Sequence, residues 1–306
     1  MPDLFQHKKR YRHYSLSLYV LLGFLILISS SDSIVAQEPA ERDTLSIVET
    51  TDGNTYIGSI LSIQDTMVVL STSLGILNIP KNKISSITTP KKDQMVEGEF
   101  WPENPHSSRH FWGPSGYGLR KGEGYYQNTW IWLNQASYGI TDNFSIGGGL
   151  VPLFLFGATE ILPVWLTPKI NLPYRNGKGA FGFGTILFGL LGEEDVYAGI
   201  LYGTNTFGTR DKQLTLGLGY GYSSDGGFAS TPTISVSGMM RTSKKWAILT
   251  ENYLISAGEQ TTFGLISGGA RYMGRRLAID FGGIIPVGGF DFFVVIPWLG
   301  IAVPFK

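Results

Sequence analysis

The sequence predicts an all-β protein, in which a transmembrane antiparallel β-barrel follows a small five-stranded β-domain. Three observations predict it: strands with one apolar face and one face of small residues, polar turns at regular spacing, and an N-terminal export signal. The composition agrees, because 40 glycines and 13% aromatic residues accompany only 16% charged residues in a chain of 306. A β-rich protein with a large apolar outer surface has this composition.

The N-terminus has the organisation of a secretory signal peptide. A basic segment precedes an apolar run over residues 16–28, which is too short to cross a bilayer. Ile34-Val35-Ala36 then predicts cleavage before Gln37, so that residues 1–36 are removed on export. The sequence contains no cysteine for a disulfide or a lipid anchor, which leaves the barrel as the membrane attachment.

Residues 42–90 predict a small soluble β-domain with strands at 45–50, 55–63, 66–71, 76–79 and 84–87. A tight turn at Asp52-Gly53-Asn54 joins the first two strands, and a single helical turn at 80–83 precedes the last. This layout resembles the Sm-like and SH3-like modules that precede barrels in some bacterial envelope proteins. Export and the position before the barrel predict a periplasmic domain, which in the anchoring hypothesis below docks a protein partner, and residues 91–107 form a linker after it.

Nucleic acid is not an expected partner of this domain or of the whole chain. Sm-like folds elsewhere bind RNA, but this segment lacks interleaved basic and aromatic residues. Without the signal peptide the chain has 20 basic and 22 acidic residues, a net charge of −2. Glycine arrays such as 217, 219 and 221 lie inside strands with no helix after them, so we expect no phosphate loop and no cofactor.

The barrel prediction for residues 108–306 comes from strands with two different faces. In residues 214–222 one parity reads Leu, Leu, Leu, Tyr, Tyr, while the other reads Thr, Gly, Gly, Gly. Alternate side chains of a strand point to opposite faces, and a membrane barrel shows apolar residues to lipid and small or polar ones to its lumen. The rival fold is a secreted soluble β-sandwich, whose outward parity should carry polar and charged residues instead.

Polar turns set the strand count. Turns near 141–143, 175–178, 209–212, 242–245 and 274–276 recur at roughly 32–35 residues, the length of two spanning strands and a loop. These five turns join ten strands. A first strand at 109–119, followed by a turn at 120–124, and a last strand at 292–305 bring the predicted number to 12. Ten strands is the alternative, because Gly113 and Pro114 weaken the first strand.

The last strand alternates apolar residues up to Phe305, with Trp298 on the inward parity. It resembles the terminal strand read by the outer-membrane barrel assembly machinery, in which an aromatic residue ends the chain. The resemblance implies that machinery as a partner, and Lys306 is a small departure from the pattern. Outer-membrane lipids are the expected partner of the apolar outer parity of the barrel strands.

Three charges fall inside successive predicted strands: Glu251, Arg271 and Asp280. A charge facing lipid is costly near the membrane midplane, so we expect these side chains in the lumen. Arg271 and Asp280 are equally distant from the midpoint between Arg275 and Arg276 in the turn at 274–276, and antiparallel pairing therefore places them opposite each other. Glu251 is less clear, because its inward placement leaves two polar neighbours facing out. The three charges either fill the lumen as an ion network or form a constriction that selects solutes.

No catalytic, metal or cofactor residue is predicted. His106 and His110 have metal-ligand spacing only on a helix, and Pro105 argues against a helix there. Ser107, Ser108 and His110 are near in sequence but too close to the entry strand for an outer-membrane hydrolase.

We therefore expect a non-enzymatic integral outer-membrane protein, and its role has two main candidates. One is a narrow channel for small solutes. The alternative is a non-conducting anchoring protein of the envelope, whose lumen is plugged by residues such as Trp298 or by an inward loop. An outer-membrane lipid hydrolase or acyltransferase is a minor alternative.

Overall fold

The structure, a computed structural model, describes residues 45–90, 94–96, 99–102, 104–156, 161–193, 195–256, 262–274, 277–288 and 293–305. The predicted signal peptide 1–36 lies outside these residues. The chain divides into two compact units, one ending at Lys91 and one beginning at Lys92. Within the described residues no helix is long and apolar enough to span a membrane.

The first unit is a single antiparallel sheet of five strands in the order β4-β3-β2-β1-β5. Alternation with period two sends one parity inward, so that Val48, Leu70 and Ile79 form a buried apolar core. Gly53 adopts a positive φ of 83° in the turn between the first two strands. The strands are β1 Leu45–Thr50, β2 Thr55–Ile63, β3 Met67–Thr72, β4 Gly75–Pro80 and β5 Ile84–Thr88. The predicted five-stranded β-domain is thus confirmed as a separate sheet.

The second unit begins with a small ladder of β6 Met95–Val96 and β7 Glu99–Phe100, followed by a closed antiparallel barrel. The barrel strands are β8 Gly124–Thr129, β9 Leu133–Gly139, β10 Phe144–Leu150, β11 Leu162–Leu166, β12 Lys169–Pro173, β13 Gly179–Leu191, β14 Tyr197–Gly208, β15 Lys212–Ser223, β17 Thr233–Arg241, β18 Trp246–Ser256, β19 Thr262–Met273, β20 Ala278–Val287 and β21 Ile296–Phe305. The two-residue strand β16 Gly227–Phe228 extends the edge of β15.

The barrel has twelve spanning strands, as predicted. Each strand pairs with the next, and β21 closes the ring on β8. Strands β11 and β12 are two halves of one crossing, since both pair with β10 on one side and β13 on the other. Pro168 stands between the halves, where it removes one ladder N–H.

The two faces of the barrel wall have the polarity of a membrane protein. On β15 the side chains of Leu214, Leu216 and Leu218 are 45–49% exposed on the outside. Their neighbours Gln213 and Thr215 point inward and are only 5% and 1% exposed. An apolar exterior around a polar interior is the pattern expected for strands that face lipid.

The predicted first strand at 109–119 is wrong, although the total of twelve is right. Residues 109–119 lie inside the barrel, and the first spanning strand is β8. The segment between the predicted turns at 120–124 and 141–143 instead contains two strands, β8 and β9, joined at 130–132. The joining residues are Trp130, Ile131 and Trp132, and the first two have positive φ values of 51° and 70°. Bulky residues rarely adopt this conformation, so the turn carries no sequence signal.

Candidate functional site: a hairpin inside the barrel

Residues 104–119, here called the lumen hairpin, fold back on themselves inside the barrel. Arg109 and Pro114 form an isolated antiparallel bridge at the tip. The Ser115 N–H donates to the Ser108 carbonyl at 3.0 Å, and the His110 N–H donates to the Gly113 carbonyl at 3.0 Å. The hairpin is enclosed by the wall, with Phe111 only 1% exposed.

Both arms of the lumen hairpin contact the same end of the barrel, here called the turn end because it carries the short connections at 174–178, 209–211 and 242–245. On the incoming arm the Asn104 amide donates to the Arg210 carbonyl at 3.1 Å. On the outgoing arm the Tyr117 hydroxyl donates to the Gly208 carbonyl at 2.5 Å. The hairpin therefore enters and leaves at the turn end and does not cross the membrane.

Glu251 on β18 holds the tip of the hairpin. Its Oε2 accepts hydrogen bonds from three consecutive backbone N–H groups, those of Phe111 at 2.7 Å, Trp112 at 3.0 Å and Gly113 at 3.0 Å. The Tyr253 hydroxyl donates to its Oε1 at 2.9 Å. A carboxylate that accepts several N–H groups makes strong, charge-assisted hydrogen bonds, so Glu251 fixes the turn of the hairpin to the wall.

Asp280 on β20 joins the wall and the hairpin in an ion triad with Arg271 and Arg109. Arg271 pairs directly opposite Asp280 in the β19–β20 register, and its Nε donates to Oδ1 at 2.6 Å. Arg109 of the hairpin donates from Nη1 to Oδ2 at 2.7 Å. Arg271 also donates to two hairpin carbonyls, those of His106 at 3.0 Å and His110. All three side chains of the triad are at most 3% exposed, so two buried cations share one carboxylate.

Among the described residues, the opposite wall holds the hairpin with donors and hydroxyl groups and not with a carboxylate. Lys169 on β12 donates from Nζ to the carbonyls of Ser108, at 3.1 Å, and Tyr117. Gln213 on β15 donates to the Ser107 carbonyl at 3.0 Å. Thr206 on β14 accepts from the N–H of Gly116 at 2.6 Å.

The hairpin fits inside the lumen because glycines lie where the hairpin contacts the barrel wall. A Cβ on Gly116 would lie 2.0 Å from the Ala180 carbonyl oxygen, which is part of the backbone of β13. A Cβ on Gly118 would lie 1.8 Å from Oδ1 of Asn171. Gly182 in the wall faces Gly116, because a Cβ on Gly182 would lie only 3.1 Å from the Cα of Gly116. Some of the inward-facing glycines therefore leave room for the hairpin inside the barrel.

Aromatic side chains pack around the tip. The Phe111 ring lies 5.3 Å from Trp298, which points inward as its parity predicts, and Trp298 lies 4.9 Å from Trp130. Trp112 lies 6.3 Å from Trp165 in an edge-to-face arrangement. These rings bury the tip in an apolar cluster.

The two histidines of the hairpin are buried, and neither imidazole has a hydrogen-bond partner within the described residues. Burial and then the positive charges of Arg109 and Arg271 hold the pKa of His106 well below its usual value. Burial and the nearby Arg271 lower the pKa of His110 to about 3. Both rings are therefore neutral at pH 7. Ser107 accepts a hydrogen bond from Arg210 at 2.7 Å, not from a histidine.

Two lumen cations were missed by the sequence interpretation. Arg109 was placed in a spanning strand that does not exist. Lys169 lies in a strand, on the parity opposite to Ile170 and Leu172, and the rule that placed Arg271 inward would also have placed Lys169 inward.

Neither a protein-family model nor a curated protein matches the chain. Among solved structures, the chain is similar to outer-membrane-expressed OmpT of Vibrio cholerae, with 13% identity over 85% of this chain and 94% of that chain, and a TM-score of 0.34. The outer-membrane channel DcaP of Acinetobacter baumannii matches with 10% identity over 89% and 99% of the two chains, and a TM-score of 0.32. The monoaromatic hydrocarbon channel CymD matches with 8% identity over 87% and 90%, and a TM-score of 0.29.

The architecture places the protein in a membrane. A closed antiparallel barrel with an even number of strands and an apolar exterior satisfies every backbone hydrogen bond without a sheet edge, as a bilayer requires. The chain is thus a transmembrane β-barrel protein with a separate five-stranded sheet at its N-terminus.

Proposed function

We propose that the protein is a non-conducting anchor of the outer membrane, without enzymatic activity, whose small N-terminal domain docks a protein partner in the periplasm. The observation that supports this most is the lumen hairpin. It fills the space that a channel would leave open, and both walls hold it through hydrogen bonds to Glu251, Asp280 and Lys169.

The sidedness follows from the turn end. Short connections of outer-membrane barrels face the periplasm, while the longer loops face outward. The chain enters the lumen from the turn end, so we assign residues 42–90 to the periplasm. Outer-membrane lipids then surround the apolar wall, and the assembly machinery would read the β21 strand, which ends at Phe305.

The docking role is supported by apolar side chains on the surface of the small sheet. Leu61 and Ile63 on β2 and Ile76 on β4 are 57–64% exposed, although the sheet faces water rather than lipid. Apolar side chains exposed on a domain that faces water are available to pack against a protein partner.

Conductance in planar bilayers tests whether the lumen is closed. We expect wild-type protein to give no current steps, and we expect steps when residues 105–118 are replaced by a glycine-serine segment of equal length. A variant that lacks residues 42–90 but keeps the hairpin is the control, and it should stay silent. Steps from the wild type at rest would favour the second candidate, a narrow channel. A folded replacement variant without conductance would contradict the hairpin as the closure.

Site-specific photocrosslinking in cells tests the docking role. A crosslinker at Leu61 should give a product of discrete mass, while one at Lys81, in the turn before β5, should not. The same products at both positions, or none at Leu61, would contradict a docking surface there.

A further inference from the structure

A cavity of about 50 Å³ lies between the lumen hairpin and the wall formed by β8–β10 and β12–β14. Its lining includes Ser108 and Arg109 from the hairpin, and Ser137, Lys169 and Tyr202 from the wall. A space of this size holds about three or four water molecules, or one small ion with one or two of them.

The charges around this cavity do not balance. Lys169 is 7% exposed, and its ammonium group donates to two neutral carbonyls, those of Ser108 and Tyr117. Arg109 is paired with Asp280, but that carboxylate is shared with Arg271. None of the residues that line the cavity is acidic. A buried cation without a counter-ion is costly, and the cost rises in the low dielectric of a membrane.

Two residues of the cavity lining carry side-chain donors without a hydrogen-bond partner in the part of the chain that the structure describes. The Ser108 hydroxyl and the Arg109 Nε–H have no partner among the described residues, although their side chains are only 8% and 3% exposed. The guanidinium and the ammonium group can only donate. The other polar side chains of the lining are neutral, and the three buried cations Arg109, Arg271 and Lys169 exceed the two buried carboxylates of Asp280 and Glu251 by one charge.

We propose that this cavity is a binding site for one small anion, of the size of chloride or a simple carboxylate such as acetate. The anion accepts from the ammonium group of Lys169, from Nε of Arg109 and from the hydroxyl of Ser108. It neutralises the excess positive charge between the hairpin and the wall, and so holds the hairpin in place. The inference is independent of the proposed function, since an anion can occupy the cavity whether or not the barrel conducts.

Thermal unfolding of the full-length protein in detergent at pH 7 tests the site. Sodium chloride, bromide and acetate are compared with sodium gluconate at equal concentration, because gluconate is too large for the cavity. We expect the small anions to raise the unfolding temperature of the wild type by about 3–6 °C relative to gluconate. Lys169→Met should lose this difference, and Ser108→Ala should reduce it. Lys244→Met removes an exposed lysine in a turn and should keep it.

Two results would overturn the proposal. One is an equal unfolding temperature of the wild type in all four salts. The other is an undiminished difference in Lys169→Met, which would place the anion effect elsewhere. If Lys169→Met does not fold, anomalous diffraction from wild-type crystals soaked in bromide decides the question. A bromide peak beside Lys169 supports the site, while bromide peaks only elsewhere, or none, would contradict it.

Discussion

The small N-terminal sheet and the barrel use the same two-residue alternation with opposite polarity. In the sheet Val48 is fully buried, while its neighbour Glu49 is exposed. In the barrel Asp280 is 1% exposed on the inside, while its neighbour Phe281 is 43% exposed on the outside. Alternation thus defines two faces of a strand, and the solvent outside decides which face carries the apolar residues.

The interiors of the two units therefore depend on different interactions. The sheet is held by an apolar core, whose stability comes from removing side chains from water. The barrel interior combines the apolar cluster around Phe111 and Trp298 with charge-assisted hydrogen bonds, of which Glu251 and Asp280 are the acceptors. The loss of stability caused by a substitution should therefore depend on the unit in which it lies. Four experiments test this expectation.

The largest effect is expected from Asp280→Asn. The change leaves Arg271 and Arg109 buried without their shared carboxylate, and breaking a buried ion pair costs about 3–5 kcal/mol. Denaturant unfolding of the barrel, followed by tryptophan fluorescence, measures the loss. Asp225→Asn, at an exposed position in a loop, is the matched control and should leave the curve unchanged. Equal curves for both variants would show that the triad does not stabilise the barrel.

In the sheet an apolar truncation should have the comparable effect. Leu70 is fully buried in the core, and replacing a buried leucine by alanine costs about 2–5 kcal/mol. A sheet of this size is only marginally stable, so Leu70→Ala should unfold it while the barrel stays folded. Limited proteolysis of the full chain should then cut within residues 45–90. Leu74→Ala, at a position 94% exposed, should resist proteolysis like the wild type. Equal resistance of both variants would contradict the apolar core as the source of stability.

A lysine on the outer surface should destabilise the barrel but not the sheet. Leu216 faces lipid from the middle of β15, where a lysine costs about 2–4 kcal/mol. Leu74 faces water at a turn of the sheet, so Leu74→Lys should cost nothing measurable. Refolding into lipid vesicles, assayed by the faster gel mobility of the unheated folded barrel, should fall for Leu216→Lys only. Equal refolding of both variants would mean that β15 does not face lipid.

The sequence predicted the features that alternation and turns encode, and it missed those that depend on distant contacts. The register of Arg271 and Asp280 followed from counting outward from one turn, which the structure matches. The hairpin β8–β9 was missed because Trp130 and Ile131 lack the chemistry of turn residues. The lumen hairpin was taken for a strand, because nothing local distinguishes its residues from a poorly formed one.

The role of Glu251 shows the same limit. Of the three lumen charges, Glu251 is the one whose inward direction the sequence predicts least clearly. Its partners are three backbone N–H groups on a segment more than a hundred residues earlier in the chain. Backbone donors carry no sequence signature. A run of polar residues without apolar alternation, such as 106–110, is the available sequence signal that a segment enters a barrel instead of forming its wall.

The smallest effect is expected when the two units are separated. Each unit has its own interior, an apolar core around Leu70 in the sheet and the ion triad of Asp280 with the apolar cluster of Phe111 in the barrel. The division falls between Lys91 and Lys92. Deleting residues 42–90 should therefore change the free energy of unfolding of the barrel by less than about 0.5 kcal/mol, the range of substitutions that touch no core. The isolated segment 42–90 should give a dispersed NMR spectrum of a folded β-domain. A collapsed spectrum, or a barrel destabilised by the deletion, would mean that the two interiors are coupled, and the contrast between them would then describe one folding unit and not two.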